Sequence, residues 1–351
     1  MNRRLLGVLA LSIVLLVSGT VLAQKPYQVA LIIAQGGLGD LSYNDLAYAG
    51  LQRAARNFAG QVIVRTVQAT DIVSQGESVL RNAARAGFDL VIDLEYSTFE
   101  ALNRLAPEFP NTRFAILNAV VDQPNVTSVM FEEQEGSFLA GALAAMVTQN
   151  TSIPGINPEP VLGVIGGTKS LGIDKFIVGF IEGARYINPD IRVLVSYSNN
   201  FGDPALGRQM ALALFEQGAD IVYHVAGGTG QGVIDAAEEV GRYAIGVDTD
   251  QDFLAPGHVL TSMMKRADIA VYSLVEQLVN GTLQSGVLRF GLANGGVGLS
   301  PMQYTAHLLP AEYLQRLAGI ETAIVDGTIQ VTDITAVPNP NEVLDRLGLG
   351  H

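Results

Sequence analysis

A glycine-rich stretch after an apolar run near the start of the chain carries the side chains best suited to bind a small molecule. The apolar run QVALIIAQ spans residues 28–35, and the stretch GGLGDLSYND spans residues 36–45. Glycines between a strand and a helix let backbone N–H groups approach a ligand. Here they lead to the carboxylate of Asp40, the ring of Tyr43 and the carboxamide of Asn44. The carboxylate can accept hydrogen bonds, and the carboxamide can both donate and accept them. The tyrosine ring can stack on a planar group.

The glycine-rich segments do not fit two common phosphate-binding patterns. A dinucleotide fingerprint needs G-x-G-x-x-G, whereas the first stretch has its glycines at Gly36, Gly37 and Gly39. A P-loop needs a glycine directly before its lysine, and the segment GVIGGTKS (163–170) has Thr168 at that position. The spacing therefore argues against NAD binding and against ATP hydrolysis.

Three more candidates lie where predicted strands end. The segment GGTGQG (227–232) either contacts a ligand through the backbone near Gly228 or is a tight strand-to-helix turn. Asp248 ends the apolar strand RYAIGV, where its carboxylate either holds a diol such as a ribose or caps a helix. Lys265 ends the next strand and precedes Arg266, so this pair is either part of the site or a solvated basic turn. If Lys265 faces Asp248, the balanced charges suit a neutral hydroxylated ligand.

The sequence contains no recognisable catalytic or metal-binding set. It has no G-x-S-x-G elbow and no histidine beside a candidate nucleophile. Cysteine is absent, which excludes thiolate chemistry, disulfides and a lipid anchor on cysteine, and the four histidines are scattered. The pair Glu132–Glu133 is interpreted as the first turn of a helix, favoured by the helix dipole. We therefore expect neither enzyme activity nor a cofactor nor a bound metal.

Apolar runs alternate with amphipathic segments along the chain after residue 26. Most of the runs are apolar on both faces, as central strands of a parallel sheet are. The segments between them repeat apolar residues every three or four positions. This alternation predicts a doubly wound α/β fold, in which ligands bind at the carboxyl ends of the strands. The predicted strands are QVALIIAQ, QVIVRTV (61–67), DLVIDL (89–94), RFAILNAVV (113–121), VTSVMF (126–131), VLGVIGG (161–167), IRVLVSYS (191–198), DIVYHVAG (220–227), RYAIGVD (242–248) and VLTSMM (259–264).

The predicted strands are too many for one comfortable sheet, so we expect two sheets. The polar, proline-rich segment QNTSIPGINPEP (149–160) is the predicted break in the chain. Towards the C-terminus, the sequence predicts a helix at AEYLQRLAGIETAI, a short strand at TIQVTD and a helix at NPNEVLDRLG, which Asn-Pro opens.

The charge and the N-terminus bear on location and partners. The formal net charge is −13, and removal of the first 23 residues, which hold two arginines and no acid, leaves −15. Such a chain repels phosphates, so we expect neither nucleic acid nor anionic lipid as a partner.

The segment MNRRLLGVLALSIVLLVSGTVLA has the pattern of a signal peptide, cleaved after Ala23. The alternative is an uncleaved anchor helix from Leu5 to Ala23. In both cases the rest of the chain is exported.

Several motifs, in order along the chain, resemble the basic membrane protein family. These are solute-binding proteins of ABC importers, and the family includes purine nucleoside receptors. GGLGDLSYND is similar to the family's G-G-x-x-D-x-S-F-N segment. The other similar segments are FEEQEGSFLAGALAA (131–145), KFIVGFIEGARYINPD (175–190), YHVAGGTGQGVIDAA, IGVDTDQ, LTSMMK and ANGGVGL (293–299).

The resemblance implies a two-lobed type I periplasmic-binding clamshell. Each lobe is a doubly wound, mostly parallel α/β sheet, and the ligand lies between the lobes. Three hinge crossings are expected, near Asn125–Met130, Met263–Lys265 and Phe290–Gly295. The expected first lobe comprises residues 24–128 and 265–291, and the second comprises residues 129–264 and 292–351.

The resemblance also implies roles for individual side chains. Tyr43 and Phe176 match the two aromatics that stack on opposite faces of a base, and Asn44 matches the asparagine that hydrogen-bonds it. Asp248 and Lys265 match the pair that holds the ribose hydroxyls.

The backbone near Gly228 matches a contact to the sugar, and Asp40 belongs to the same predicted ligand-binding set. Two family aspartates that would accept from a purine N–H are replaced here, by Ala34 and by Asn118. Since asparagine both donates and accepts, Asn118 would allow a different base or a related ligand.

The expected function is therefore that of an exported binding protein that delivers a nucleoside-like ligand, such as a purine nucleoside, to an ABC transporter permease. We expect a monomer. One alternative is a binder of a sugar or another small polar solute. Another is a sensor whose closed form docks on a signalling receptor, because import and sensing use the same hinge closure.

We predict that the exported protein begins near Gln24, because the apolar run closes on small residues before that position. N-terminal sequencing of protein recovered from outside the cytoplasm measures this directly. An intact Met1 would support the anchor helix instead.

Overall fold

The computed structural model describes residues 25–350, which form two lobes, each built on a six-stranded sheet. The predicted signal segment, residues 1–23, lies outside the described residues. The two-lobed α/β fold expected from the sequence is confirmed.

Lobe 1 is built on a sheet with the strand order β11-β5-β4-β3-β1-β2, and every pairing in it is parallel. Its strands are β1 (Tyr27–Ile32), β2 (Val62–Val67), β3 (Leu90–Asp93), β4 (Arg113–Leu117), β5 (Val126–Phe131) and β11 (Gly286–Phe290). Its helices are α1 (Tyr43–Asn57), α2 (Ile72–Arg85), α3 (Phe99–Leu105) and α8 (Ala267–Val279), with 3₁₀ turns at Tyr96–Thr98 and Ala106–Glu108.

Lobe 2 has the strand order β12-β10-β9-β8-β6-β7, in which only the β10–β12 pairing is antiparallel. Its strands are β6 (Val161–Gly166), β7 (Arg192–Tyr197), β8 (Ile221–Val225), β9 (Tyr243–Asp248), β10 (Val259–Lys265) and β12 (Val297–Leu299). Its helices are α4 (Glu133–Thr148), α5 (Leu171–Ile187), α6 (Pro204–Glu216), α7 (Thr229–Glu239), α9 (Ala311–Val325) and α10 (Pro340–Leu347), with 3₁₀ turns at Leu292–Asn294 and Ala306–Leu308.

The burial of each strand follows its place in the sheet. β1 lies inside its sheet, and its residues from Val29 to Ile32 are completely buried, which explains the unbroken apolar run. β2 lies at an edge, and its residues after Val62 are partly buried or exposed. Because helices cover both faces of a parallel sheet, central strands need apolar side chains on both sides.

Within residues 25–350, the chain passes between the lobes three times. It does so at Glu132, between β5 and α4, at Arg266, between β10 and α8, and at residues 291–296, between β11 and β12. The crossings are joined by backbone hydrogen bonds. The N–H of Glu132 donates to the carbonyl of Phe290 at 2.8 Å, and that of Arg266 donates to the carbonyl of Gly296 at 2.9 Å. The three segments therefore form one connected hinge.

These crossings lie at or within a few residues of the predicted ones. β5 continues to Phe131 and pairs with β11 as far as Phe290. Residues 129–131 are therefore part of the sheet of lobe 1, whereas the sequence-based division placed them in the second lobe. Lys265 is the last residue of β10 and lies in the sheet of lobe 2, next to the crossing.

Two sequence predictions about connections are wrong. Residues 149–160 do not separate the lobes, because they join α4 to β6 within lobe 2, where the N–H of Asn157 donates to Asp220. The segment TIQVTD forms no strand. Its Thr332 instead uses its backbone N–H and its hydroxyl to bond the carboxylate of Glu182, at 3.0 and 2.7 Å, so the backbone donor is not available for a sheet.

Glycines allow α4 and α5 to pack backbone against backbone. Every residue of α4 except Glu135 is buried. A Cβ atom at Gly141 would overlap the carbonyl oxygen of Phe180 in α5, and one at Gly183 would overlap that of Phe138 in α4. This close pair supports α5 at the position where Phe176 faces the cleft between the lobes. Across residues 25–350, no helix combines the length and the apolar character needed to span a bilayer.

We expect Gly141→Ala to lower the free energy of unfolding by about 1–3 kcal/mol or more, because the added methyl group forces the two helices apart. Chemical denaturation measures the change. Gly319→Ala in α9 is the matched control, since among residues 25–350 no heavy atom beyond its chain neighbours and its own helix backbone lies within 4 Å of a Cβ built there. The control should be neutral or stabilising by up to ~1 kcal/mol, and equal losses in both variants would contradict the packing argument.

Candidate functional site

A cavity of about 110 Å³ lies between the two lobes. Its walls come from the segments that follow β1, β3, β4, β5, β7 and β8, from the carboxyl ends of β5, β8, β9 and β10, from α5 and from Thr335. All the predicted site residues except Gly228 line it. These residues are Asp40, Tyr43, Asn44, Asn118, Phe176, Asp248 and Lys265.

Asp40 organises the glycine-rich loop. One of its carboxylate oxygens accepts from the N–H of Ser42 at 2.9 Å. The other accepts from the N–H of Asn44 at 2.9 Å and from its side-chain amide at 3.0 Å. Burial raises the pKa of Asp40, although these backbone donors oppose the shift. The carboxylate thus satisfies the first N–H groups of α1, which a helix start leaves without partners.

The carboxamide of Asn44 is already engaged with the same loop. Its oxygen accepts from the N–H of Ala34 at 2.9 Å. Its nitrogen donates to the carbonyl of Gln35 at 3.1 Å and to Asp40. Both side-chain N–H groups of Asn44 are therefore occupied, and one lone pair of its oxygen remains. The contact between Asn44 and a base stays a prediction. It would use that lone pair, or these bonds would have to rearrange.

Tyr43 and Asn118 are joined at the cavity wall. The hydroxyl of Tyr43 lies 3.2 Å from the carbonyl of Leu94, to which it donates, and it accepts from the side-chain nitrogen of Asn118 at 3.0 Å. Burial raises the pKa of Tyr43, and the nearby Asp248 adds to the rise. The side-chain oxygen of Asn118, Oδ1, is buried and has no hydrogen-bond partner among residues 25–350. Since Asn118 lines the cavity, this unpaired oxygen is the candidate acceptor for a ligand there.

Three aromatic rings surround the ammonium group of Lys265. Its Nζ lies 5.0 Å from the ring centres of Tyr43 and Phe131 and 5.3 Å from that of Phe176. At these distances the negative faces of the rings attract the cation. Tyr43 comes from lobe 1 and Phe176 from lobe 2, so the cage includes rings from both lobes.

The partner of Lys265 is Glu133, which the sequence analysis interpreted only as part of a helix start. Lys265 Nζ lies 2.8 Å from one carboxylate oxygen of Glu133, and Lys175 Nζ lies 3.3 Å from the other. Burial opposes the charge on Glu133, yet the two lysines hold its pKa below the ordinary value. Lys175 also donates to the carbonyl of Phe131 at 2.7 Å and pairs with Asp333 at 3.4 Å. The position of Glu133 two residues after the end of β5, at the carboxyl edge of that sheet, is the signal that could have identified it.

Among residues 25–350, Lys265 forms its close ion pair with Glu133 and not with Asp248, although its field reaches the Asp248 carboxylate. Asp248 bonds instead across the cleft, where its Oδ2 accepts from the hydroxyl of Ser42 at 2.6 Å. Burial raises the pKa of Asp248 to about 6, and the field of Lys265 limits that rise. The backbone of Asp248 has a φ of 67°, a costly conformation for a residue other than glycine. Its carboxylate is therefore held in an unusual backbone turn, between the cavity and the opposite lobe.

Gly228 contacts the opposite loop rather than the cavity, which its neighbour Gly227 lines. A Cβ at Gly228 would lie 3.2 Å from the carbonyl oxygen of Phe201 and 3.6 Å from the Cα of Asp40. At Gly36, a Cβ would lie 3.0 Å from the same oxygen of Phe201. Gly228 and Phe201 belong to the same lobe, so it is Gly36 of lobe 1 that permits close approach of the lobes in this closed arrangement.

We expect Glu133→Gln to lower the free energy of unfolding by about 3–5 kcal/mol, because Lys265 would remain buried without its counter-charge. The double variant Glu133→Gln, Lys265→Met should recover much of this loss. Denaturation of the single and double variants gives the coupling energy.

Glu239→Gln is the matched control, since it breaks the pair of Glu239 with Arg208, in which both side chains are nearly half exposed. Water screens this pair, so its loss should change stability little. Additive effects of the two changes in the double variant would show that Glu133 and Lys265 do not depend on each other.

Comparisons with known proteins agree with this architecture. A solute-binding protein of an ABC transporter system from Aeropyrum pernix K1 superposes with a TM-score of 0.83 at 26% identity, covering 92% of this chain and 98% of that one. The ABC transporter nucleoside-binding protein BmpA of Lactococcus lactis is 30% identical over 86% of this chain and 88% of its own. Basic membrane protein B of Borreliella burgdorferi is 32% identical over 79% of this chain and 82% of its own.

The family model described as ABC transporter substrate-binding protein PnrA-like matches residues 27–335. This range includes both sheets, the three crossings and every residue of the cavity wall. Members of this family bind a small molecule for a transporter permease and are not enzymes. The chain therefore belongs to the Bmp family of PnrA-like ABC transporter substrate-binding proteins.

Proposed function

We propose that this protein is exported and binds an uncharged nucleoside-like ligand between its lobes for delivery to an ABC importer. The observation that carries the ligand assignment is the cavity wall itself. It combines two rings from opposite lobes, Tyr43 and Phe176, with the open acceptor of Asn118 and the carboxylate of Asp248. A nucleoside presents a planar base, N–H donors and a diol to match these three kinds of group.

Stacking supplies the first part of the recognition. A base that lies between an aromatic ring of each lobe gains roughly 1–3 kcal/mol per stacking contact. Because Tyr43 starts α1 in lobe 1 and Phe176 lies in α5 of lobe 2, both contacts exist together only when the lobes are closed. Stacking would therefore favour closure around the ligand.

Hydrogen bonding supplies the second part. Tyr43 uses one of the two side-chain N–H groups of Asn118, so the side chain has its oxygen and one N–H left for a ligand. The neutral amide oxygen attracts N–H donors less strongly than an ionised aspartate at this position would. With Ala34 in place of the other family aspartate, the site lacks both carboxylates that would accept from a purine N–H. At Asp248, Ser42 uses one of about four lone-pair sites, which leaves room for the two hydroxyls of a ribose.

The charge of the cavity favours a nucleoside over a nucleotide. Four carboxylate side chains line it, those of Asp40, Glu95, Glu133 and Asp248, against the two lysines Lys175 and Lys265. The excess of negative charge would repel a phosphate. Each lysine already has a carboxylate partner, so neither is left to neutralise an anionic ligand.

We expect Tyr43→Ala and Phe176→Ala each to weaken nucleoside binding by roughly 1–3 kcal/mol. Substitution of Phe176 by tyrosine should cost little, because a ring is kept. Asp248→Ala should remove the preference for ribonucleosides over their 2′- and 3′-deoxy analogues while it leaves stacking intact. Calorimetry against adenosine, inosine, cytidine and their deoxy forms measures all three effects.

Tyr186→Ala is the matched control, since Tyr186 also lies in α5 but is 51% exposed and does not line the cavity. It should leave binding unchanged. If no nucleoside binds the wild type while ribose or another free sugar does, the replacements at Ala34 and Asn118 have changed the ligand class. If Tyr43→Ala lowers stability without altering binding, the ring only supports the helix that follows it.

A further inference from the structure

Two glutamines of lobe 2 donate hydrogen bonds across the cleft to one short segment of lobe 1. The Nε2 of Gln231 lies 3.1 Å from the carbonyl oxygen of Asp40 and 3.3 Å from that of Gly39. The Nε2 of Gln251 lies 3.0 Å from the carbonyl oxygen of Leu41. We propose that Gln231 and Gln251 form a closure latch, which sets the affinity for the ligand without touching it.

Gln251 is oriented for this contact by bonds inside lobe 2. Its side chain is completely buried, and its Oε1 accepts from the backbone N–H of Val247 at 2.9 Å. The same oxygen lies 2.9 Å from Nε2 of His224. Because a backbone N–H can only donate, the oxygen must face Val247 and the NH₂ group must face Leu41. The donor that reaches lobe 1 is therefore fixed before the lobes meet.

His224 strengthens this orientation. Burial lowers the pKa of His224 to about 4, so the ring is neutral at pH 7. Since Oε1 of Gln251 can only accept, the proton of the neutral ring lies on Nε2. The backbone N–H of Gln251 is held as well, 3.0 Å from the hydroxyl of Ser262. The role of this buried histidine is thus positional, and it lies outside the cavity wall.

The segment that receives these bonds is shaped for them. Gly39 has a φ of 93° and Leu41 a φ of 48°, and the second value is costly for a residue with a side chain. Three successive carbonyl groups of this segment, at Gly39, Asp40 and Leu41, then bond to the two glutamines of lobe 2. These interlobe bonds offset the cost of the strained loop when the lobes close.

Neither glutamine lines the cavity. This separates them from Asp248, which lines the cavity and also bonds Ser42 across the cleft. Groups that bond only between the lobes change the fraction of protein that is closed, and apparent affinity scales with that fraction. Loss of the latch should therefore multiply the dissociation constants of all ligands by the same factor, mainly through faster dissociation.

The test compares Gln231→Met with Gln231→Glu. Methionine keeps the length of the side chain and removes the donor, and glutamate keeps the shape but turns an acceptor toward carbonyl oxygens. We expect Gln231→Met to weaken binding by about 2- to 10-fold, because the side-chain donor shared by Gly39 and Asp40 is lost, and Gln231→Glu to weaken it further. A role in packing alone would leave the glutamate variant close to wild type.

Binding of adenosine, inosine, cytidine and ribose is measured by calorimetry and stopped-flow dissociation. In a given variant, the dissociation constant of every ligand that binds the wild type should rise by the same factor. A changed order of preference would show that Gln231 contacts the ligand, and unchanged constants in both variants would overturn the latch. Gln209→Met, at an exposed position of α6 in the same lobe, is the control and should bind as the wild type does.

A second measurement needs no ligand, so it tests the closure latch even if no member of the panel binds. The sequence has no cysteine, so spin labels can be placed at Val73→Cys in lobe 1 and Val240→Cys in lobe 2, both exposed positions. Gln231→Met and Gln251→Met should shift the interlobe distances of the ligand-free protein toward the open form. Distances identical to those of the labelled wild type would contradict the proposal. Circular dichroism confirms that each variant is folded.

Discussion

The ion pair of Lys265 with Glu133 joins two of the three places where the chain passes between its lobes. Lys265 is the last residue of β10, and Glu133 is the first residue of α4. Both are buried, so each charge needs the other to remain in this position. The pair is extended by Lys175, which bonds the last carbonyl of β5 at Phe131. The floor of the cavity and the anchor of the hinge are therefore the same set of charges.

This constraint shapes what the site can hold. With Lys265 committed to Glu133 and to three aromatic rings, the cavity presents ring faces, a neutral amide oxygen and a partly shielded carboxylate rather than a free cation. Such a wall suits an uncharged ligand with a flat group and hydroxyls. The open acceptor at Asn118 is the polar atom of the wall that most needs a ligand, because an unpaired buried acceptor costs about 1–3 kcal/mol.

The glycine-rich loops have a different role from the phosphate loops they superficially resemble. Gly36 and Gly228 lie where backbone from one lobe approaches backbone from the other. Around them, Gln231, Gln251 and Asp248 reach across to the loop before α1. In the function proposed here, recognition of the ligand and closure of the lobes depend on neighbouring atoms of this loop.

The sequence by itself determined the class of fold, most of the strands and the placement of the glycine loop at the carboxyl end of β1. The spacing of apolar residues and the local composition predict these features, because each feature depends on residues that are neighbours along the chain. Only the tertiary structure decided that Lys265 pairs with Glu133, that Asp248 bonds Ser42, and that TIQVTD binds Glu182 rather than joining a sheet. Those partners lie far apart in sequence and meet only because strand order and the three crossings bring them together, which no local pattern records.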